Sequence, residues 1–445
     1  MTTRLKRLTW SALDEAARSD ALSRPAVTGN PELADRVAGI IDQVRQDKDA
    51  ALRELTLRFD RIELDELRVD EDEFALAEEQ VNDEARAAIK IAIRNIETFH
   101  AAQLTDPIRV ETMPGVICER VNRPIGAVGL YVPAGSAPLP STAIMLAVPA
   151  KLAECPVRLI CTPPRPDGRA DPAVVVAARM CGIKDIFKVG GAQAIAAMAY
   201  GTETISKVDK VFGPGNAWVT AAKTAVASDP GGAALDMPAG PSEVMVVADD
   251  SANPRFIALD LLSQAEHGPD SQVILVCTST ALADAVEAEI DAALPGLPRR
   301  EIIEQSLSHS VCLLVDSIDD QAIEVVNRYA PEHLIIQVIN ARQYTDLISN
   351  AGSIFIGPWT PESVGDYCSG TNHVLPTYGF ARNYSGLSVR DFQKQLTMQE
   401  LTRPGLDQLA PTVVTLAGLE GLDAHAQAVI VRLAADQLSH DGSGS

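Results

Sequence analysis

Apolar and polar residues alternate through the middle of the chain in a repeated unit of strand, glycine turn and helix. Short apolar runs such as Ala127–Val132 end in glycine- or proline-rich turns, and a segment with helical spacing follows each of them. This order indicates βαβ units and a parallel sheet. Strands are predicted at residues 127–132, 157–161, 185–189 and 207–212, and helices from 142 and at 171–180, 192–200 and 217–228.

A second series of the same unit begins after Met237-Pro-Ala-Gly-Pro241. Its predicted strands are 243–248, 272–277, 311–315, 334–338 and 353–356, and its predicted helices are 254–265, two or more within 280–306, 319–329 and 341–349. Helical spacing also predicts helices at 30–59 and 83–103, and near 390–402 and 423–437.

The two series predict an α/β protein in which one α/β core is inserted into another. We place the first α/β domain at residues 25–130 and 238–387, and the inserted α/β domain at 131–237. Residues 1–24 and 388–445 form an N-terminal segment and a helical C-terminal region. This last region is too small to bury a large core alone, so we expect it to pack on another domain or on a second subunit.

Composition agrees with a soluble, globular chain of more than one domain. The 445 residues are 46% hydrophobic and 22% charged. The net charge of -22 argues against a nucleic-acid partner, which would require clustered Lys and Arg.

Membrane and secretory locations are also disfavoured by the sequence. No apolar run approaches the roughly 18–20 residues that span a bilayer, and the basic N-terminus is not followed by an apolar signal segment. The seven cysteines include no Cys-x-x-Cys pair, which is typical of a reducing compartment. We therefore predict a cytoplasmic protein.

The first candidate site is the loop Gly365-Asp-Tyr-Cys-Ser-Gly-Thr-Asn-His373, which follows a predicted strand. It places Asp366 and His373 between glycines that let the backbone bend sharply near a ligand. An ordinary surface turn with a capping Asp is the alternative interpretation.

Three further segments carry a histidine beside a polar partner. Gln264 and His267 are three residues apart at a predicted helix end, where they share a face. Glu332 and His333 stand at the start of a predicted strand and suit acid–base chemistry. Glu420 and His425 lie near the start of the last helix. Each histidine on its own could equally be a structural or surface residue.

Gln264, His267, Asp366 and His425 together offer two nitrogen and two oxygen donors. That set suits a zinc-like divalent ion, with Mn²⁺ as the alternative.

A dinucleotide site is less clearly marked, because the chain lacks a Gly-x-Gly-x-x-Gly fingerprint. Val189-Gly-Gly-Ala-Gln193 and Phe212-Gly-Pro-Gly-Asn216 each end a strand and open a helix, so their N–H groups could receive phosphate. Tight packing that requires glycine explains them equally well.

The ordered set of motifs resembles the histidinol dehydrogenase family across roughly residues 25–430. The matching segments are Gly129-Leu-Tyr-Val-Pro133, Val189-Gly-Gly-Ala-Gln-Ala-Ile195, Gly213-Pro-Gly-Asn216, Ala239-Gly-Pro-Ser-Glu243, Gln264-Ala-Glu-His-Gly268, Ala330-Pro-Glu-His-Leu334, the loop 365–373 and Glu420-Gly-Leu-Asp-Ala-His425. The resemblance implies two Rossmann-like parallel-sheet domains, one inserted in the other, with a C-terminal extension exchanged in a homodimer.

The resemblance also implies roles for individual residues. It implies one Zn²⁺ per subunit held by Gln264, His267, Asp366 and His425, with Glu332 activating water and His333 as general base. Ser242, His373 and Glu420, with the metal ligands and the catalytic pair, would bind L-histidinol. Tyr131, Gln193 and Asn216 would contact NAD, and Glu420 and His425 would serve the partner's site.

The implied reaction is a four-electron oxidation of L-histidinol to L-histidine through bound L-histidinaldehyde, the last step of histidine biosynthesis. A neutral His333 with an ordinary pKa near ~6.5 would make activity rise toward alkaline pH.

Three alternatives remain open. The same fold could oxidise another small alcohol, such as a sulfonated diol. A cysteine, with Cys368 better placed than Cys155 or Cys118, could hold the aldehyde as a thiohemiacetal. A metal-dependent interaction protein without turnover is the third alternative, and the Glu332–His333 pair argues against it.

Overall fold

The computed structural model describes residues 5–25, 31–134, 137–238 and 240–440, apart from the side chains of residues 31 and 435–440. In chain order its strands are β1 (Lys6–Thr9), β2 (Ile108–Met113), β3 (Val116–Pro124), β4 (Ala127–Tyr131), β5 (Val157–Cys161), β6 (Asp185–Phe187), β7 (Lys210–Phe212), β8 (Ala234–Leu235), β9 (Glu243–Ala248), β10 (Gln272–Cys277), β11 (Val311–Leu314), β12 (His333–Gln337), β13 (Ser353–Ile356) and β14 (Gln393–Leu401).

The helices are α1 (Glu15–Ala21), α2 (Pro31–Asp60), α3 (Glu71–Gln80), α4 (Asp83–Ala101), α5 (Pro140–Leu152), α6 (Pro172–Met180), α7 (Gly191–Tyr200), α8 (Ala217–Ser228), α9 (Pro254–Ala265), α10 (Thr280–Ala293), α11 (Arg300–Leu307), α12 (Ile323–Tyr329), α13 (Glu362–Tyr367), α14 (Arg403–Glu420) and α15 (Asp423–His440). Among the described residues, no helix is long and apolar enough to cross a membrane.

The larger sheet is parallel and has six strands in the order β1-β11-β10-β9-β12-β13. Its central strand β9 is buried on both faces. Val244 and Val246 enter one hydrophobic core, and the alternate residues Met245 and Val247 enter another. This alternation explains why the strand is apolar throughout, as in α/β proteins whose sheets carry helices on both faces.

The smaller sheet is also parallel, with five strands in the order β6-β5-β4-β7-β8. All its strands fall between β1 and β9 in the chain, so one α/β core is inserted in the other. The strand order reverses at β4, which pairs with β5 on one side and β7 on the other. Ligands of such sheets bind at this switch point, beyond the carboxyl ends of the strands.

Helix α2 is interrupted at Lys48, whose backbone lies at φ 52° and ψ -126°. The ammonium group of Lys48 donates to the carbonyl oxygen of Gly201 at 3.1 Å. The predicted helix 30–59 is thus confirmed as two helical arms joined at this residue, and residue 30 lies outside the described part of the chain.

The chain divides into two compact units, residues 1–103 with 125–392 and residues 104–124 with 393–445. The first contains both parallel sheets. The second contains α14, α15 and an antiparallel sheet in the order β14-β3-β2.

The prediction of a helix near 390–402 is wrong, because residues 393–401 form the strand β14. Gln, Lys, Leu, Met and Glu favour helix locally, but β14 pairs with β3 along its whole length, from Gln393 opposite Pro124 to Leu401 opposite Val116. Pairing outweighs propensity here. The helix α14 that follows was not predicted, and the helix predicted at 341–349 is a 3₁₀ segment, Ala341–Leu347.

Two strands fall outside their expected domains. Lys6–Thr9 pairs with β11 and so joins the larger sheet, although residues 1–24 were grouped with the C-terminal region. Residues 127–131 form the middle strand of the smaller sheet, just before the expected boundary at 131. The other domain boundaries stay predictions.

Candidate active site

His333 is the first residue of β12 and is 3% exposed. Its Nδ1 lies 3.6 Å from Glu332 Oε2 and 3.6 Å from Glu362 Oε1, and its Nε2 lies 3.6 Å from Asp366 Oδ1. Burial lowers the pKa of His333, but the negative charges of Glu362, Glu332 and Asp366 outweigh it and raise the pKa well above its usual value.

A backbone carbonyl determines which nitrogen of His333 carries the proton. Nδ1 lies 3.1 Å from the carbonyl oxygen of Glu243, which can only accept a hydrogen bond. In the neutral ring Nδ1 therefore carries the hydrogen, and Nε2 keeps a lone pair. Nε2 is buried and has no hydrogen-bond partner among the described residues. It can take a proton from a ligand only when the ring is neutral, and the raised pKa of His333 means that this state requires a higher pH than the expected ordinary pKa implies.

Glu332 is 5% exposed, and its Oε2 accepts the backbone N–H of Glu243 at 2.9 Å. Burial raises the pKa of this carboxyl to about 8. Glu332 and His333 are thus both held by the backbone of one residue, Glu243.

The side chain of Glu243 is itself fixed by a buried ion pair. Arg24 forms two hydrogen bonds with the Glu243 carboxylate, one from Nη2 to Oε2 at 3.0 Å, and stacks 3.8 Å above the ring of Tyr329. The N–H of Tyr378 also donates to this carboxylate at 2.9 Å. These contacts fix Glu243, whose backbone binds Glu332 and His333.

Glu362 belongs to the same cluster but was missed by the sequence analysis. Three side chains, those of His333, Glu362 and Asp366, each offer one possible ligand atom. These three atoms all lie within 4.8 Å of one another, which is close enough for them to hold a metal ion. Glu362 and Asp366 are four residues apart on α13 and so share a face. Pro361, just before the first residue of this short helix, was the available signal, whereas the predicted loop begins only at Gly365 and leaves Glu362 outside it.

Gln264 and His267 meet at the end of α9, as their spacing predicts. Gln264 Nε2 lies 3.2 Å from His267 Nδ1. Gln264 is fully buried, and its Oε1 has no hydrogen-bond partner in the described part of the chain. A buried amide oxygen left without a partner, next to an imidazole that lies close enough to Asp366 to feel its charge, fits a divalent metal ion.

His373 is held on both sides by protein groups. Its Nδ1 donates to the carbonyl oxygen of Asp366 at 2.9 Å, and its Nε2 lies 3.1 Å from the hydroxyl of Thr142. Substrate binding by His373 stays a prediction, while its contact with the backbone of Asp366 gives it a role in shaping the loop.

A cleft of about 840 Å³ joins the two parallel sheets within the first unit. Five predicted residues line it: Tyr131, Gln193, Asn216, Ser242 and His267. The smaller sheet contributes residues at the carboxyl ends of its strands, as the switch-point rule predicts. The larger sheet contributes Ser242, just before β9. Glu332 and His333 do not line this cleft, but His333 begins β12 opposite Val244 of β9, two residues after Ser242 in that strand's sequence.

The loop after β7 is fixed beneath this cleft by a buried ion pair. Lys223 forms an ion pair with Asp236, and both side chains bind the backbone of Gly213. Lys223 Nζ donates to the carbonyl oxygen of Gly213 at 2.9 Å, and the N–H of Gly213 donates to Asp236 at 2.8 Å. Asn216 caps α8 by accepting the N–H groups of Trp218 and Val219. Its capping role explains part of the motif without a ligand.

Glu420 and His425 lie in the second unit, on either side of the turn between α14 and α15, and both are exposed. Their participation in a site stays a prediction.

Cysteine chemistry finds little support. The Cys155 thiol is buried against the carbonyl oxygen of Phe392 at 3.4 Å, and burial raises its pKa to about 11. Cys118 lies in β3 of the second unit, and Cys368 packs partly against the core after α13.

The chain matches the family model for histidinol dehydrogenase over residues 23–433. It is 54% identical over 429 residues to the histidinol dehydrogenase of Photobacterium profundum, with 96% of each chain covered. Its identity to the enzyme of Xanthomonas axonopodis pv. citri is 55%, over 96% of this chain and 99% of that one. The crystal structure of histidinol dehydrogenase from Elizabethkingia anophelis superposes with a TM-score of 0.93 at 45% identity, over 97% of this chain and 99% of that one.

Proposed function

The chain belongs to the histidinol dehydrogenase family of oxidoreductases, and on that premise we propose that it oxidises L-histidinol to L-histidine with NAD as electron acceptor. The aldehyde, L-histidinaldehyde, stays bound between the two oxidations. The observation that carries this proposal is the buried Glu332–His333 pair, in which Glu243 leaves Nε2 of His333 available as a base.

His333 performs the first proton transfer. Its Nε2 accepts the proton of the substrate hydroxyl while hydride leaves the carbinol carbon. Nδ1–H stays bonded to the Glu243 carbonyl, so the ring keeps its orientation as it becomes charged, and the nearby carboxylates stabilise that charge.

Glu332 performs the second proton transfer. Its carboxylate takes a proton from the water that adds to the aldehyde, and the resulting hydrate gives up the second hydride. The N–H of Glu243 holds this carboxylate in place. Both steps use groups fixed by the fold, and such positioning supplies a large part of a rate enhancement.

Gln264, His267 and Asp366, with His425 from a second copy of the chain, would hold one Zn²⁺. Bound zinc supplies positive charge that orients the substrate, and bound NAD supplies the hydride acceptor. The unpartnered oxygen of Gln264 supports the metal site, and Tyr131, Gln193 and Asn216 in the cleft support a cofactor site there.

A homodimer accounts for the apolar surface of the second unit. Leu416, Leu419 and Val431 are 55%, 80% and 56% exposed on its two helices, and Leu396 is 49% exposed on β14. Apolar surface of this kind marks an interaction site. We place the enzyme in the cytoplasm, where free cysteines persist.

A sulfonated diol is not favoured as substrate. Burial raises the pKa of Asp366, but the neighbouring His333 outweighs this effect and lowers the pKa, so a charged carboxylate lies beside His333 and would repel a sulfonate. The cationic L-histidinol is attracted by the same carboxylate.

The test is the yield of NADH per L-histidinol consumed, with and without a chelator. Two NADH per substrate, lost on chelation and restored by Zn²⁺, are expected. One NADH per substrate with free aldehyde would contradict the bound intermediate. No NADH from a folded, zinc-loaded protein would contradict the assignment of substrate.

A further inference from the structure

Asp60 is an acidic residue on the cleft wall that the proposed reaction does not use. It is the last residue of α2 and lines the cleft with Tyr131, Gly191 and Gln193. Its Oδ2 is buried and has no hydrogen-bond partner among the described residues. Burial raises the pKa of this carboxyl.

This position is costly for a carboxylate in two ways. A buried acceptor without a partner loses the hydrogen bonds it makes with water. The C-terminal end of a helix also carries partial negative charge, which repels an acidic side chain. No Lys or Arg forms an ion pair with Asp60 in the described structure to offset these terms. A ligand that donates hydrogen bonds would offset them.

The neighbouring strand lacks the acidic residue that a dinucleotide site ordinarily has. In a standard unit an Asp or Glu at the end of the second strand accepts the ribose 2′-hydroxyl and disfavours a 2′-phosphate. Here the second strand, β5, ends in Cys161-Thr-Pro-Pro164, and Pro163 lines the cleft. Asp60 reaches the same cleft from a different element.

Glu266 is the other carboxylate on the cleft wall in the described structure, and it neighbours His267 in the sequence. Asp60 lies near the phenol of Tyr131, whose oxygen accepts the N–H of Gly191 at 3.0 Å. Asp60 is therefore a neighbour of Tyr131, a proposed cofactor residue, whereas Glu266 stands beside His267, a proposed metal ligand.

We propose that Asp60 accepts a hydrogen bond from the 2′-hydroxyl of the adenosine ribose of NAD and excludes the 2′-phosphate of NADP. This inference rests on the proposed use of NAD. Asp60 is thus a specificity residue, with a supporting role in cofactor affinity.

The test compares NAD, NADP and 2′-deoxy-NAD as acceptors for the zinc-loaded enzyme and its Asp60→Ala and Asp60→Asn variants. Since a hydrogen bond to a charged group contributes about 1.5–3 kcal/mol, we expect kcat/KM for NAD to fall about 10- to 100-fold in Asp60→Ala. The same substitution should leave 2′-deoxy-NAD nearly unaffected and raise the NADP-to-NAD ratio. Glu63→Gln, an exposed acid three residues away, is the matched control and should change none of these values.

Equal losses with NAD and 2′-deoxy-NAD, or an unchanged NADP-to-NAD ratio, would overturn the inference. If the variants fail to fold, the wild-type enzyme is sufficient for the test. A difference in kcat/KM of less than about twofold between NAD and 2′-deoxy-NAD would overturn the inference. Wild-type protein that reduces no NAD would instead overturn the proposed function, and calorimetric binding of NAD against 2′-deoxy-NAD would still test Asp60.

Discussion

The proposed catalytic pair, Glu332 and His333, is held by the backbone of a third residue, Glu243. Glu243 holds Glu332 with its N–H and His333 with its carbonyl oxygen, while its own carboxylate is bound by Arg24 and Tyr378. Motif resemblance indicated Glu332, His333, Gln264 and His267. It could not indicate Arg24, because 219 residues separate this arginine from Glu243.

Removing Arg24 should damage both stability and turnover. Arg24→Met leaves the Glu243 charge buried and unpaired, and we expect the free energy of unfolding to fall by about 3–5 kcal/mol. Among folded molecules kcat should fall more than KM rises, because the backbone of Glu243 orients the proton-transfer groups. Urea denaturation and steady-state kinetics measure both effects.

The double variant Arg24→Met/Glu243→Gln is the control for this pair. It removes the unpaired charge and should recover part of the lost stability. A single Arg24→Met variant as stable and as active as wild type would show that Glu243 needs no charged partner.

His100 should make stability depend on pH. It is fully buried, its Nδ1 donates to the carbonyl oxygen of Ile96 at 2.9 Å, and burial lowers its pKa. In the unfolded chain His100 has a pKa of roughly 6.5 and binds a proton as the pH falls below that value, whereas in the folded protein it stays neutral to a lower pH. The unfolded state is therefore favoured, and the free energy of unfolding falls, as the pH drops below roughly 6.5.

The His100→Gln variant should lose less stability than wild type between neutral pH and pH ~5, because it has no group to protonate there. Urea midpoints at several pH values measure the slope. Parallel slopes in the two proteins would exclude His100 as the cause.

At the scale of elements, the buried parallel strands were the easiest to predict. β9, β10 and β13 and the helices α8 and α9 occupy the predicted residues, because continuous apolar runs and helical spacing are local signals. The 393–401 segment failed because its partner, β3, is far away in sequence. The cleft is lined by residues from elements of both sheets. Local sequence patterns do not predict which distant elements come together in this way.

The turn after β7 should tolerate no side chain at Gly213. Its φ is +119°, and a Cβ would lie 2.2 Å from the carbonyl oxygen of Tyr131, which lines the cleft where we propose that NAD binds. We expect Gly213→Ala to lower stability and raise the KM for NAD, because the backbone held by Lys223 and Asp236 must move.

Gly182→Ala is the matched control, since Gly182 also has a positive φ, +83°, but open space around its Cβ position. It should lower stability by about 1 kcal/mol through backbone strain alone and leave the KM for NAD unchanged. Equal effects of the two substitutions on KM would show that the clash at Tyr131 is irrelevant to cofactor binding.

At the scale of the whole molecule, the proposed sharing of His425 can be tested by mixing. His333→Asn removes the base, and His425→Ala removes the metal ligand, so each homodimer should be nearly inactive. Unfolding and refolding the two variants together should restore up to about a quarter of wild-type activity, because half the dimers are mixed and each has one intact site. Variants refolded separately and then combined briefly are the control. Absence of recovery would mean that each site takes both histidines from the same chain, which contradicts the sharing of His425.

Because α2 is broken at Lys48, a molecule bound in the cleft can stabilise residues of this helix that it does not contact. A straight helix of thirty residues would separate its ends by about 45 Å, yet Arg36 near its start and Asp60 at its end both line the cleft. A bound molecule that contacts both helical arms of α2 holds them together. Either arm can then open locally only after that molecule dissociates. Occupancy of the cleft should therefore slow amide hydrogen exchange along α2 as far as the bend at Lys48, well beyond the residues that the cofactor contacts.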